Sequence, residues 1–292
     1  MIKRSLVIFY AVVIYALAQL TWWGYHLYTL QPNRLGMILE EGSMFVIVFA
    51  FGTYSLHKAL NKEQQLQEQK RNFLLSVTHE LKSPLASIKI LLQTIQKRDL
   101  TKAQILDFID KSLLDIERLD DMVENMLLAS KIDNRSYTFP KAKFNLSVLV
   151  DGIVNRLQVT KCDCNQQIID AEIEPKIEIT GDKFALTSVV TNLVENAIKY
   201  SSPCEAVAVK LFSKEGRIHL QVADHGIGIA DEEKSRIFNK FYRVGSEDTR
   251  NTKGTGLGLY IVKEVLDKHE ATIKVKDNRP AGSIFEVTFA LT

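Results

Sequence analysis

The chain is poor in cysteine and in net charge. Three cysteines in 292 residues, Cys162, Cys164 and Cys204, form no even framework, which excludes the sulfur-stapled secreted domain. Cys162 and Cys164 are spaced like half of a metal site. No second Cys/His pair at zinc spacing accompanies them, and reduced cytosolic thiols are the plainer reading. A formal net charge of +2 lacks the basic excess of a nucleic-acid binder, so no direct nucleic-acid partner is expected. The length leaves room for about two ordinary domains.

Charge is also missing locally. From Ser5 to Leu27 there is no Asp, Glu, Lys or Arg, and about 20 apolar residues suffice to span a bilayer. Trp22, Trp23, Tyr25 and Tyr28 cluster at the far end of this stretch, where aromatic rings favour the interface with lipid headgroups. A cleaved signal peptide fits less well, because the run is long and shows no clear small-residue cleavage site. A second apolar run, Gly42 to Leu56, is short for a span. Adding Met37 to Leu39 makes it long enough but brings Glu40 and Glu41 to the outer boundary. Headgroup placement is the plainer reading for that pair, since burial is costly; a sensing role is the alternative. Lys3 and Arg4 precede the first run, and Lys58, Lys62, Lys70 and Arg71 follow the second. Only Arg34 lies between. Both ends of a two-helix membrane region, 1–57, are therefore expected in the cytoplasm. The outer loop, roughly Thr29 to Glu41, is too short to fold as a domain.

Neither glycine nor proline interrupts Asn61 to Asn72, so residues 58–72 read as a continuous helix leaving the membrane, able to transmit rotation or sliding. At about 100° per residue, Phe73, Leu74, Val77, Leu81, Ile88, Leu91, Leu92 and Ile95 form one apolar stripe. His79 falls opposite, with Ser83 one turn on. Pro84 lies inside the helix, where it removes a hydrogen bond at a cost of roughly 3 kcal/mol. A second helix opens on a capping box, Thr101 with Gln104, and repeats Ile105, Phe108, Ile109, Ile116, Leu119, Val123, Met126 and Leu127. The turn at Arg98 to Leu100 makes residues 73–135 an antiparallel hairpin. Two helices leave an apolar face uncovered, and a second copy would close a four-helix bundle. An exposed histidine is usually only a surface residue. Here an acid, Glu80, stands directly beside it and can take a proton.

From residue 143 the pattern turns α+β. Ser147 to Gln158 reads as a helix, and Ile168 to Ile173 and Ile177 to Thr180 as strands. Asp182 then caps a helix whose apolar face is Leu186, Val189, Val190, Leu193 and Ala197. Asn192, Asn196 and Lys199 share another stripe of that helix, bordered by Glu195. Amide and acid oxygens suit a hard cation and a lysine suits phosphate; a solvated polar face is the plainer alternative. Val207 to Ser213 and Ile218 to Ala223 read as a hairpin across Lys214-Glu215-Gly216. Its second strand ends at Asp224, a carboxylate placed to accept from an exocyclic amine such as that of adenine. Asp231 to Phe238 reads as a short helix, and Ala271 to Lys276 and Ser283 to Ala290 as final strands. Two glycine turns, Asp224-His225-Gly226-Ile227-Gly228 and Gly254-Thr255-Gly256-Leu257-Gly258, allow backbone to approach phosphates. The second opens a helix, Leu257 to Lys268, whose free N–H groups favour an anion. The polar stretch Val244 to Lys253 between the two turns is a candidate lid.

These motifs, in this order from about residue 70 to the C-terminus, resemble a membrane-bound sensor histidine kinase of a bacterial two-component system. The carriers are His79-Glu80-Leu81-Lys82-Ser83-Pro84; Asn192, Glu195, Asn196, Lys199 and Tyr200; Asp224 to Gly228; Phe238, Phe241, Tyr242 and Arg243; and Gly254 to Gly258. The resemblance implies two transmembrane helices, a dimeric four-helix bundle of histidine-phosphotransfer hairpins, and an α+β Bergerat-type ATP-binding sandwich over 143–292. It implies that His79 accepts the γ-phosphoryl group of ATP, that Glu80 acts as base, and that Ser83 bears on phosphatase activity. Asn196 would bind Mg²⁺ with Asn192 and Glu195 in support. Lys199, Tyr200 and Arg243 would contact nucleotide, and Asp224 would recognise adenine. Gly226, Gly228, Gly254, Gly256 and Gly258, with Thr255 and Leu257, would shape the turns around it. The implied partners are a second copy, membrane lipid and the receiver domain of a response regulator. The implied location is the bacterial inner membrane, multi-pass, with the catalytic domains in the cytoplasm. Three positions depart from the family pattern: His225 where Asn is frequent, Glu270 after His269 where two glycines are common, and Ser83 where Thr or Asn is frequent. A kinase-inactive scaffold or a phosphatase-dominant sensor is the alternative.

Overall fold

The computed structural model describes residues 2–30, 35–134, 137–160, 169–201, 205–244 and 254–290. The chain divides into two compact units, Met1–Glu68 and Gln69–Thr292.

In the first unit, helix α1 covers Ile2–Leu30 and helix α2 begins at Leu35. The expected outer loop is therefore shorter than Thr29 to Glu41. Leu35 to Glu41 is helical, as its leucine, methionine and glutamate content favours; residues 31–34 lie outside the described set. Tyr10 of α1 and His57 of α2 share a hydrogen bond, Oη to Nδ1, at 3.0 Å. Among the described residues one helix, Gly42–Lys97 of α2, is long and apolar enough to cross a membrane by length and composition.

In the second unit, α2 continues to Lys97, with Pro84 inside it. Helix α3, Lys102–Asp133, starts on the expected capping box: the Thr101 side chain accepts from the Gln104 N–H, and the Gln104 side chain accepts from the Thr101 N–H. Val77 is buried at the centre of the α2 stripe, and Phe73, Leu81, Ile88, Leu91 and Ile95 are half-buried. Leu74 and Leu92, expected in the same stripe, are exposed. So are Leu85 and Ile90 on α2, and Leu106, Leu113, Ile116, Val123 and Leu127 on α3. Two helices cover only the sides they turn to each other, and the remaining apolar face stays open.

The rest of the unit is a two-layer α+β domain. Its five-stranded sheet has the order β2-β4-β5-β7-β6, formed by β2 (Ile169–Ile173), β4 (Val207–Lys214), β5 (Arg217–Ala223), β6 (Thr272–Asp277) and β7 (Ser283–Ala290). The β2–β4 pair is parallel and the others are antiparallel. Period-two burial puts Val207, Val209 and Leu211 of β4, Ile218, Leu220 and Val222 of β5, and Phe285, Val287 and Phe289 of β7 on the inner face. Helices α4 (Leu146–Thr160), α5 (Lys183–Tyr200) and α7 (Gly258–Lys268) complete the core. The β4–β5 connection is tight: Glu215 and Gly216 both have positive φ, 53° and 68°, as a type I′ hairpin requires.

Two local differences from expectation appear. Strand β1, Ala142–Asn145, pairs antiparallel with β3, Glu178–Gly181; with four residues and little alternation it carries almost no strand signal. The single helix expected from Asp231 to Phe238 is instead helix α6, Asp231–Lys234, followed by a 3-10 turn, Arg236–Phe238, with Ser235 between them.

Candidate nucleotide and phosphoacceptor site

Asp224 follows β5 and is 5% exposed. Its Oδ1 accepts the N–H of Gly226 at 2.9 Å and that of Ser283 at 3.2 Å, and neither bond falls on Oδ2. Its own carbonyl accepts from Asn278 Nδ2 at 2.8 Å. Burial pushes the Asp224 carboxyl above its ordinary pKa, and the two N–H donors partly offset that rise. Ser283, at the start of β7, thus braces the carboxylate, while Asn278 and Gly282 of the β6–β7 connection lie against the Asp224 carbonyl. A Cβ on Gly282 would stand 2.0 Å from the Asp224 carbonyl oxygen. None of these three residues carries a sequence signal beyond that of a turn.

The first glycine turn lies against the end of α5. Ser201 and Gly226 form an antiparallel bridge. A Cβ at Gly226 would lie 2.0 Å from the Tyr200 carbonyl oxygen, so glycine is required there for close approach.

Helix α5 starts as read, with the Asp182 carboxylate accepting from Phe184 and Ala185 N–H, and buries the expected Leu186, Val189, Val190, Leu193 and Ala197. That burial turns Asn192, Glu195, Asn196 and Lys199 to the half-buried face. The second glycine turn runs along this face. The Gly258 backbone approaches Asn192 so closely that a Cβ there would be 2.4 Å from Oδ1, and one at Gly254 would be 2.8 Å from Lys199 Nζ. Lys199 Nζ also lies 4.9 Å from the Tyr200 ring centre. Leu257 is buried and caps α7, and its N–H donates to Thr255 Oγ1 at 3.4 Å. The Phe238–Arg243 segment packs on the same turn, Phe241 N–H donating to the Gly256 carbonyl at 3.1 Å. Asn192, Asn196, Lys199 and the second glycine turn therefore share one wall, with Asp224 to Gly228 meeting it at the end of α5. Of the expected lid only Val244 is described; 245–253 lie outside the described residues.

His79 is exposed on α2, as read, with Glu80 half-buried and Ser83 exposed. Among the described residues no hydrogen bond joins these three to α5 or to either glycine turn. Arg243 donates from Nη1 to Ser76 Oγ of α2 at 3.5 Å, one turn before His79. Other contacts between hairpin and α+β domain escaped sequence reasoning. Ser188 Oγ and Asn192 Nδ2 donate to Asn125 Oδ1 at 3.0 and 3.4 Å, Phe73 packs on Phe241 with ring centres 4.4 Å apart, and Asp133 accepts from Lys240 and Tyr260.

A hairpin presenting a solvent-facing histidine is thus followed by an α+β domain with two glycine turns around a buried carboxylate. Residues 69–135 match the His Kinase A (phospho-acceptor) domain, and residues 181–292 match the histidine kinase-, DNA gyrase B- and HSP90-like ATPase family. The chain thus pairs the phosphoacceptor and ATPase domains of the histidine kinases, as the sensor histidine kinases of bacterial two-component systems do. It is 29% identical over 252 residues to the sensor protein RprX of Bacteroides fragilis, a match covering 85% of this chain and 48% of that protein. It is 30% identical over 236 residues to the phosphate regulon sensor protein PhoR of Pseudomonas aeruginosa, covering 80% and 53%. The sensor-like histidine kinase SenX3 of Mycobacterium bovis is 28% identical over 249 residues, covering 85% and 59%. The chain spans about half the length of the curated relatives it matches. The fold is similar to that of full-length ShkA, solved in complex with AMPPNP: TM-score 0.50, 20% identity, 74% of this chain and 45% of that one.

Proposed function

We propose that the chain is an ATP-dependent protein-histidine kinase that phosphorylates His79 and passes the phosphoryl group to an aspartate of a response-regulator receiver domain. The observation that carries this reading is the pairing, on one chain, of an exposed His79 beside Glu80 with a buried Asp224 whose Oδ1 is already engaged by Gly226 and Ser283. Oδ2 is then the oxygen that accepts from the exocyclic amine of adenine. Asn192, Lys199, Tyr200 and Arg243 would contact the phosphates, and Gly226, Gly228 and Gly254 to Gly258 would shape the turns around the nucleotide. At Gly226 and Gly258 the backbone lies too close to Tyr200 and Asn192 for a side chain. The half-buried amide of Asn196, with Asn192 and Glu195 beside it, offers hard oxygen donors for Mg²⁺. Bound there, Mg²⁺ neutralises charge on the phosphate oxygens.

In the transfer an imidazole nitrogen of His79 attacks the γ-phosphorus. The N–P bond forms as the bond to the ADP oxygen breaks, and Glu80 takes the imidazole proton. Ser83, one turn from His79, keeps a hydroxyl where a water attacking phosphohistidine would be oriented.

The open apolar face, with Leu85 and Ile90 on α2 and Leu113, Ile116 and Leu127 on α3, supports a homodimer with a four-helix bundle. Helix α1 and the apolar start of α2 are assigned as two spans in the bacterial inner membrane, touching lipid, with residues 58–292 in the cytoplasm. The domain limits are 1–57, 58–72, 73–135 and 143–292.

The test is incubation of the full chain, in membranes, with Mg²⁺ and γ-labelled ATP. Acid-labile, base-stable label that is lost in His79→Gln is expected. A chain that binds ATP yet takes up no such label is a scaffold or a phosphatase instead.

A further inference from the structure

Asp133 is the last residue of α3. Its Oδ1 accepts the phenol of Tyr260 at 2.9 Å, and its Oδ2 accepts the ammonium of Lys240. That ammonium also lies 5.4 Å from the Tyr260 ring centre and 5.0 Å from that of Phe241. One cation is therefore held between a carboxylate and two aromatic faces, an arrangement stronger than an isolated surface pair. Burial alone would raise the Asp133 pKa, but the hydrogen bonds from Lys240 and Tyr260 and the Lys240 charge hold it below the ordinary carboxylate value. Burial and the Asp133 carboxylate push the Tyr260 phenol well above its ordinary value. The charged acid and the neutral phenol are thus the favoured forms.

The two partners lie on different parts of the nucleotide wall. Lys240 belongs to the Phe238–Arg243 segment, and Tyr260 is two residues beyond Gly258 in α7. With both segments held by the end of α3, Phe241 rests on Phe73 and Arg243 reaches Ser76 of α2. Asn192 of α5 shares its amide between the Ser188 carbonyl of its own helix, at 2.8 Å, and Asn125 of α3, at 3.4 Å. One side chain assigned to phosphate, Arg243, so directs its donor at the hairpin from a segment that Asp133 holds.

We propose that Asp133 is a positioning residue that fixes the Phe238–Arg243 segment and the first turn of α7 against the hairpin, so that Arg243 is held there in competition with nucleotide. This rests on the assignment of Arg243 to the nucleotide site. A ligand that needs the released arrangement binds with its intrinsic affinity reduced by the fraction of molecules released. Weakening the clamp raises that fraction and therefore tightens binding.

The experiment compares the full chain with Asp133→Asn, Tyr260→Phe and the double variant. The Asp133 side chain is 48% exposed and Asn keeps its shape, so the fold tolerates the change. The readouts are affinity for a Mg²⁺-bound non-hydrolysable ATP analogue, by calorimetry, and KM against kcat for labelling of His79. Asp133→Asn is expected to tighten the analogue at least threefold and to lower KM by a similar factor. Tyr260→Phe should act in the same direction, and the double variant should exceed Asp133→Asn by little. A merely structural role would weaken binding, so unchanged or weaker affinity, or fully additive effects, overturns the proposal. If the wild-type chain binds the analogue but does not label His79, the kinase reading falls while the Asp133 comparison still decides the clamp. If it binds no analogue, both fall.

Discussion

The imidazole of His269 joins the end of one core helix to the start of another. Its Nδ1 donates to the Val265 carbonyl of α7 at 2.7 Å, which leaves Nε2 to accept the Asp182 N–H at the cap of α5, at 2.9 Å. The ring also packs 5.4 Å from Phe139. Only the neutral ring can make both bonds. Burial lowers the His269 pKa, with Lys141 acting in the same sense and the Val265 bond and Asp182 charge opposing. The unfolded chain therefore binds a proton more readily than the folded one, and this contribution to stability is complete above the ordinary value of about 6.5. It is lost as pH falls through that value towards the lower folded one. His269→Ala is expected to cost about 2 kcal/mol at pH 8, chiefly through the buried Asp182 N–H left unpaired. It should also flatten the wild-type loss of stability between about pH 7 and pH 5. Urea unfolding across pH checks both; an Ala variant with an unchanged slope would remove His269 as the cause.

The residue after His269 carries a measurable cost. Ala271 N–H donates to the Leu266 carbonyl at 2.9 Å and Glu270 N–H to the Asp267 carbonyl at 3.3 Å, the paired bonds of a Schellman ending. This ending needs a left-handed residue at Glu270, and its φ is 56°. The turn keeps the geometry that glycine favours although glycine is absent. Glu270→Gly is expected to stabilise the domain by about 1 kcal/mol, the usual penalty for a side chain in this region. A shift of the unfolding midpoint in the opposite direction would count against it.

The two glycine turns should respond differently to an added methyl group. At Gly226 a Cβ meets the Tyr200 carbonyl, which is backbone; at Gly258 it meets the Asn192 amide, which can rotate away. Gly226→Ala should lower stability by roughly 3 kcal/mol and remove ATP binding with it. Gly258→Ala should unfold within about 1 kcal/mol of wild type yet bind ATP at least tenfold more weakly, because Asn192 is displaced. Paired unfolding and calorimetry separate the two cases. Equal stability losses would mean that the Asn192 side chain cannot move.

What could be read in advance followed from local chemistry. The Asp182 cap, the apolar stripe of α5, the Thr101–Gln104 box and the exposure of His79 each depend on residues within a turn or two of one another. Asp224 was recognisable from its place at a strand end before a glycine turn. Its bracing was not, because Ser283 lies 59 positions away and Gly282 looks like any turn glycine. Strand β1 pairs with β3 across more than thirty residues and has no pattern of its own. The Asn125 and Asp133 contacts are polar residues on helix surfaces that sequence alone assigns to solvent. Leu74 and Leu92 look like core by periodicity, but one hairpin has too few neighbours to cover them.

Helix α2 runs unbroken from Leu35 to Lys97, through the polar stretch 61–69, so the proposed signalling is expected to be sensitive to helical phase. Each inserted residue rotates everything beyond it by about 100°, whereas seven residues return the face to within about 20°. If the proposed membrane helices drive His79 through this segment, one or two added alanines at 61–69 should change labelling of His79 severalfold in either direction. Seven added alanines should restore it to near wild type. The rise of the helix is the same per residue in each case, so a steady decline with insert length would indicate sensitivity to distance instead. Labelling indifferent to all three inserts would mean that the segment acts as a passive tether. Radiolabelling of the full chain in membranes, normalised to protein amount, distinguishes these results.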